Sequence, residues 1–331
     1  MAIQISGGVQ LSGPVVLTQS SGGGGGGSYS FQGSNYGYTS GGDLAPTPGL
    51  RTTEIIDKFS FSSDGNATDV GDLAVATQDA TGQSSSTSGY NSGGTSFNVS
   101  IDKNIIQKFA FSTDGNATDV ADLASNCDDG AAGNSSSASG YACGNAEPTR
   151  TNVIQKFSFA SDDNGTDVGD LTQAKERSTG QSSSDSGYAS AGYTGGSGYL
   201  NTIDKFSFSS DGNASDIGDL TQSKLSCSGQ SSTTHGYATG GVAGPYHQST
   251  IDKFPFASDG NATDIGDLSF TQIQAAGQSS TASGYTAGGQ INDSVSDTTN
   301  IEKFPFASDS NGTDVGDLTA GRFKCTAGQQ Y

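Results

Sequence analysis

Within the stretch KFSFSSDGNATDVGDL, residues 58–73, five oxygen-bearing side chains crowd nine positions: Asp64, Asn66, Thr68, Asp69 and Asp72. Carboxylate and amide oxygens at this density could bind Ca²⁺, a hard cation that takes oxygen ligands, and Asp64, Asn66 and Asp69 are the candidate ligands. The spacing starts like an EF-hand loop. It then places Asp69 where the sixth position needs Gly and Val75 where the twelfth needs Glu. The competing reading is a hairpin whose Asp and Asn side chains accept from nearby backbone N–H groups. Paired carboxylates could also hydrolyse glycosides. The acidic pairs recur periodically, however, which points to scaffold and singles out no asymmetric catalytic pair. The two histidines, His235 and His247, do not recur. Ser is so abundant that its proximity to a His carries no information. The four cysteines, Cys127, Cys143, Cys227 and Cys325, show no CxxC spacing. Cys127 and Cys143 could pair, or all four could be free, small buried residues. No catalytic residue and no cofactor is expected.

The words of residues 58–73 return five more times. Lys-Phe-x-Phe begins at Lys58, Lys108, Lys156, Lys205, Lys253 and Lys303, at intervals of 50, 48, 49, 48 and 50 residues. An Ile stands two residues before each Lys: Ile56, Ile106, Ile154, Ile203, Ile251 and Ile301. A second word, Gly-Tyr, alternates with the first at Tyr38, Tyr90, Tyr141, Tyr188, Tyr237 and Tyr285. A Gly-Gln/Asn-Ser-Ser tract precedes each of the last five tyrosines.

Each repeat reads as four short strands. Ile56–Phe61 is β-branched and aromatic, with Phe59 and Phe61 on one face. Asp64-Gly65-Asn66 marks a hairpin turn, and Thr68–Leu73 returns with Val70 on it. Residues 82–88 and 89–94 supply two strands of small residues. Four strands in about 49 residues is the size of a β-propeller blade. The C-terminus, TAGQQY, begins a sixth Gly-Gln tract and stops, whereas Gly37-Tyr38 has no such tract before it. One end begins what the other completes, so a ring closed in a shared blade is expected rather than an open solenoid, which would need caps. The fold class is therefore all-β, a six-bladed propeller over residues 29–331. The expected blade core comprises Ile56, Phe59, Phe61, Val70, Tyr90, Ile106, Phe109, Phe111, Ile154, Phe157, Ile203, Phe206, Ile251, Phe254, Ile301 and Phe304. Lys58 and its equivalents are expected to pair with Asp and stitch each blade. The unequal stretches 95–104, 145–152, 193–201 and 290–300 occupy one repeat position and should emerge on one face.

Residues 1–20 form a separate segment, with Ile3, Ile5, Val9 and Leu11 spaced for strand pairing. Residues 21–28, with six consecutive Gly, read as a flexible linker. The segment reads either as an extra strand on the propeller or as an anchor adding a strand to another protein. Its opening has no basic region ahead of an apolar one and does not read as a secretory signal. A net charge of −20 repels phosphate backbones and anionic lipid, so neither nucleic acid nor membrane insertion is expected. No apolar run reaches the length of a membrane-spanning helix.

The order of a small-residue strand, Gly-Tyr-x-x-Gly-Gly, a variable loop, Ile-x-Lys-Phe-x-Phe and Thr-Asp-Val-Gly-Asp-Leu resembles a kelch repeat. It departs where kelch carries an outer-strand Trp, here Val70, Val120, Val168, Ile217, Ile265 and Val315. The double Gly is also broken at Gly144-Asn145 and Ala191-Gly192. The repeat words and the opening MAIQISGGVQL are similar to those of structural proteins of marine bacteriophages, cyanophages among them. That resemblance implies a non-enzymatic virion protein in several copies on the particle exterior: a tail fibre, spike or capsid decoration. Its N-terminal arm would hold other virion proteins and its loops would meet host-surface glycan or protein. The alternatives are a bacterial cell-surface or secreted binding propeller, and a polysaccharide-degrading enzyme.

Overall fold

The computed structural model describes residues 33, 35–44, 52–98, 100–101, 103–146, 149–196, 198–291 and 297–330. The anchor positions Ile3, Ile5, Val9 and Leu11 and the glycine linker lie outside them. The described residues form no helix; they build six four-stranded antiparallel sheets, the blades of a propeller. In the second blade the strands run in order Thr81–Ser84, Ser88–Ser92, Ile105–Ala110 and Thr118–Asp122. The next four blades repeat this order. The first blade differs in the origin of its innermost strand. Thr326–Gln330 pairs with Tyr36–Ser40, which pairs with Ile55–Ser60, which pairs with Thr68–Asp72. The C-terminal strand thus completes the sheet that the N-terminal part of the ring begins.

The innermost strands are short and nearly devoid of large side chains because six of them meet at the axis. A Cβ on Gly180 would stand 2.0 Å from the Gly133 carbonyl oxygen of the neighbouring blade. The Gly-Gln/Asn-Ser-Ser tract is the sequence of this ring. Its amide reaches the next blade: Gln83 Nε2 donates to the Tyr141 carbonyl at 2.9 Å, Gln181 to Tyr237 at 3.0 Å, and Gln278 to Tyr38 at 2.9 Å. Its first Ser accepts from the preceding blade, as Ser135 Oγ does from the Ser84 N–H at 3.0 Å. Its second Ser caps the following turn, with Ser85 Oγ accepting from the Ser88 N–H at 3.0 Å.

Among the described residues there is no single core. Six separate apolar clusters each span one blade–blade boundary. Each is built around a Tyr of one blade held by the two Phe of the next. Tyr38 stacks on Phe111 at 4.9 Å and tilts against Phe109 at 5.5 Å, and Tyr285 and Phe61 repeat this across the closure at 4.9 Å. Of the expected core, Ile56, Ile106, Ile154, Ile203, Ile251 and Ile301 are fully buried, with Phe59, Phe61, Phe109, Phe111, Phe157, Phe206, Phe254, Phe304 and Tyr90 buried around them. Val70 packs on its cluster from a partly buried position. The Leu that ends each repeat word, from Leu73 to Leu318, joins the same clusters.

At one of the two breaks in the double Gly the backbone keeps the conformation that glycine favours, whereas at the other Asn145 continues the strand Ser139–Asn145. Gly93 and Gly94 have φ of 71° and 90°, and Ala191 holds 61° at the first of these positions in the fourth blade. A left-handed Ala is strained by roughly 1–2 kcal/mol. Burial of its methyl in the cluster with Tyr188 and Ile203 offsets part of this.

The two faces of the disc differ. One carries the uniform turns after the inner strands and the Asp/Asn/Gly hairpins. The other carries the unequal connections after each double Gly, including a small hairpin of Val242–Ala243 with Tyr246–His247.

Candidate functional site

The three candidate ligands of the opening stretch each have a structural partner on the rim. Asp64 Oδ1 takes Lys303 Nζ at 2.9 Å, Asn66 Oδ1 accepts from the Asp317 N–H at 3.2 Å, and Asp69 Oδ1 accepts from the Gly71 N–H at 3.1 Å. The three candidate Ca²⁺ ligands therefore point at three different groups. No cluster of three or more His, Cys, Asp or Glu among the described residues is arranged to hold a metal ion. The expected Lys–Asp pairs form, but between blades rather than within them. Lys58 meets Asp114, Lys108 Asp162, Lys156 Asp211, Lys205 Asp259, Lys253 Asp309 and Lys303 Asp64, all within 3.2 Å. The reason is geometric: each hairpin overhangs the preceding blade, so the nearest ammonium is that of its neighbour.

The histidines cannot act together. His235 begins a strand at the hairpin face, where its Nδ1 meets Thr234 Oγ1 at 2.8 Å, while His247 lies in the small hairpin on the opposite face. Burial, with help from Lys253, lowers the His235 pKa. All four cysteines are free and buried, which pushes the Cys227 thiol up to about 11. Cys127 and Cys143 are not bonded to each other.

The chemistry that the repeats conceal sits where the repeats differ. The residue before each Lys of Lys-Phe-x-Phe is buried, and three of these residues are Asp in buried ion pairs across a blade boundary: Asp57 with Arg322 at 3.0 Å, Asp204 with Lys175 at 3.2 Å and Asp252 with Lys224 at 3.1 Å. Burial lowers the Lys175 pKa against the opposing pull of Asp204. At the other three boundaries the corresponding positions hold Thr77 and Gln107, Cys127 and Gln155, and Gln272 and Glu302. The charge of one partner follows that of the other closely enough that reading the repeats as aligned pairs, rather than as single words, would have found them.

A second set surrounds the channel mouth on the loop face. The connection into each inner strand makes a left-handed residue there: Asp79, Asp129, Arg177, Ser226, Gln274 and Lys324, with φ from 52° to 58°, and Gly130 follows Asp129 at 77°. Their backbones form a circuit. Asp79 N–H donates to Lys324 O at 3.0 Å, Lys324 to Gln274 at 2.8 Å, Gln274 to Ser226 at 3.0 Å and Ser226 to Arg177 at 2.9 Å. Arg177 then donates to Asp129 at 3.1 Å and Gly130 to Asp79 at 3.2 Å, with Asp129 and Gly130 together filling one position of the ring.

The side chains of this ring are charged on one arc and neutral on the other. Lys324 pairs with Asp79 at 2.7 Å and Arg177 with Asp129 at 3.1 Å, while Ser226 and Gln274 complete the circle. Burial raises the Asp79 pKa to about 6, against Lys324 and with some help from Asp129. For Arg177 burial works against the charge, and the bond and charge of Asp129 outweigh it and raise the pKa. The ring encloses a cavity of about 150 Å³ floored by small residues such as Ala80, Ser178 and Ala275. Farther out on the same face, Phe97 and Tyr246 are 60% and 66% exposed. Nearby, Arg150 lies 5.0 Å over the Tyr193 ring and pairs with Glu176 at 3.0 Å.

No protein-family model matches the chain, and no curated protein matches it.

Proposed function

We propose that the protein is a non-enzymatic, kelch-like display module of a phage particle. In this reading residues 1–20 anchor it to other virion proteins, and the loop face meets the host surface. The observation that carries the reading is the polarity of the disc. Gly33 bridges to Ser280 and Tyr36 opens its strand opposite Ser60, both at the hairpin face. The chain therefore joins the ring on the face opposite the unequal loops. Attachment through one face leaves the other free, as a fibre, spike or decoration protein requires. The resemblance of the repeat words to marine phage structural proteins supports the same assignment.

Deleting residues 1–28 should leave a folded ring that is absent from purified particles when assayed by mass spectrometry. Incorporation at the level of the full chain would overturn the anchor, and absence of the full chain from particles would overturn the virion assignment in favour of a bacterial surface or secreted propeller.

A further inference from the structure

We propose that the channel mouth on the loop face binds one neutral sugar ring presented at the end of a glycan. The inference rests on the loop face being the recognition face, and it names the site and the ligand class. Size sets the first limit: about 150 Å³ is below the roughly 300–1,000 Å³ of pockets for drug-sized ligands, so the mouth takes a single ring and not a length of chain.

Charge sets the second limit. The ammonium of Lys324 and the guanidinium of Arg177 are already matched by Asp79 and Asp129. An anionic or cationic ligand would add a charge for which these two matched pairs leave no unpaired partner. The hydroxyls of a neutral sugar donate to the carboxylates and accept from the cations while both pairs stay intact.

A third observation concerns the cavity wall. Ser178 lines it, and its hydroxyl has no hydrogen-bond partner and is shut off from solvent just beneath the cavity surface. Other hydroxyls of the lining are engaged, Ser228 with the Ala275 carbonyl at 2.8 Å and Thr326 with that of Ala80 at 3.3 Å. A buried hydroxyl without a partner is costly, and a turn about χ1 would bring it to the cavity, where a ligand oxygen would satisfy it. Gln274 offers both a donor and an acceptor on the neutral arc, and the methyl groups of Ala80 and Ala275 suit the C–H face of a pyranose.

The test is calorimetric titration of the full chain with methyl glycosides of glucose, galactose, mannose and N-acetylglucosamine, beside those of glucuronic acid and glucosamine. At least one neutral glycoside should bind more tightly than both charged ones. Ser178→Ala and Gln274→Ala should each weaken it about three- to tenfold, the worth of one hydrogen bond, while Phe97→Ala on the outer loops leaves it unchanged. Each variant's melting curve shows whether it folds. Absence of neutral-sugar binding, a preference for a charged sugar, or full affinity in both mouth variants would overturn the proposal. Incorporation into particles is scored separately, so failure here and failure of the display role are told apart.

Discussion

Gly89 shows how much a single missing methyl matters in this ring. A Cβ there would lie 2.3 Å from Cζ of Phe109 in the adjacent strand, and the same Phe carries the contact to Tyr38. Gly89→Ala must therefore displace an aromatic ring that bridges two blades, at a cost of about 1–3 kcal/mol for an overpacked core. Denaturant unfolding should show the loss, and an unchanged midpoint would refute the argument. Asp79 makes a different prediction, in pH. Its folded pKa of about 6 lies above the usual 3.8, so between these values the folded chain holds a proton that the unfolded chain has released. The contribution of this group is therefore most favourable at acid pH and falls as pH rises toward about 6. The groups facing it are Lys324, Asp129 and Arg177. Asp79→Asn should flatten that part of the stability–pH curve, measured by chemical denaturation from pH 4 to pH 7.

At the scale of the strand and its neighbour, the buried pairs supply an internal control. Lys175 and Asp204 are both fully buried at the boundary of the third and fourth blades. Asp204→Gln alone strands an ammonium and should cost about 3–5 kcal/mol. Lys175→Cys with Asp204→Gln recreates the combination Cys127 and Gln155 already present one boundary earlier, and should recover most of the loss. A double variant as unstable as the single one would show that the pair contributes more than charge neutrality. These elements also mark how far the sequence could be read. Strand order, the shared blade and the apolar Ile and Phe positions were legible because the same steric demands recur in every repeat. The direction of the Lys–Asp pairs was not, because the distance between a hairpin tip and its neighbour's lysine depends on blade stacking rather than on spacing along the chain. The mouth was hidden for another reason. Asp79, Arg177, Gln274 and Lys324 share a backbone conformation and a place, but no residue type that a repeat search could align.

For the whole molecule, stability is distributed over six boundary clusters, and the sixth exists only if the ends meet. Phe59, Phe61 and Ala67 from the start of the ring pack with Tyr285, Ile301 and Leu318 from its end. Ending the chain before Thr326 removes the strand that pairs with Tyr36–Ser40 and contacts the inner strand of the second blade. The truncated chain should lose its cooperative thermal transition, followed by circular dichroism; a transition like that of the intact chain would show that closure is dispensable. The closure also has a mechanical consequence. The strand through which the chain enters the ring is flanked on both sides, Tyr36 lying between Ser60 and Gln330 and Ser40 between Ile56 and Thr326. A load applied ahead of Gly33 along that strand cannot peel it from an edge. It must slide two hydrogen-bonded ladders past their partners at once, so the point of traction is a reinforced joint rather than a loose end.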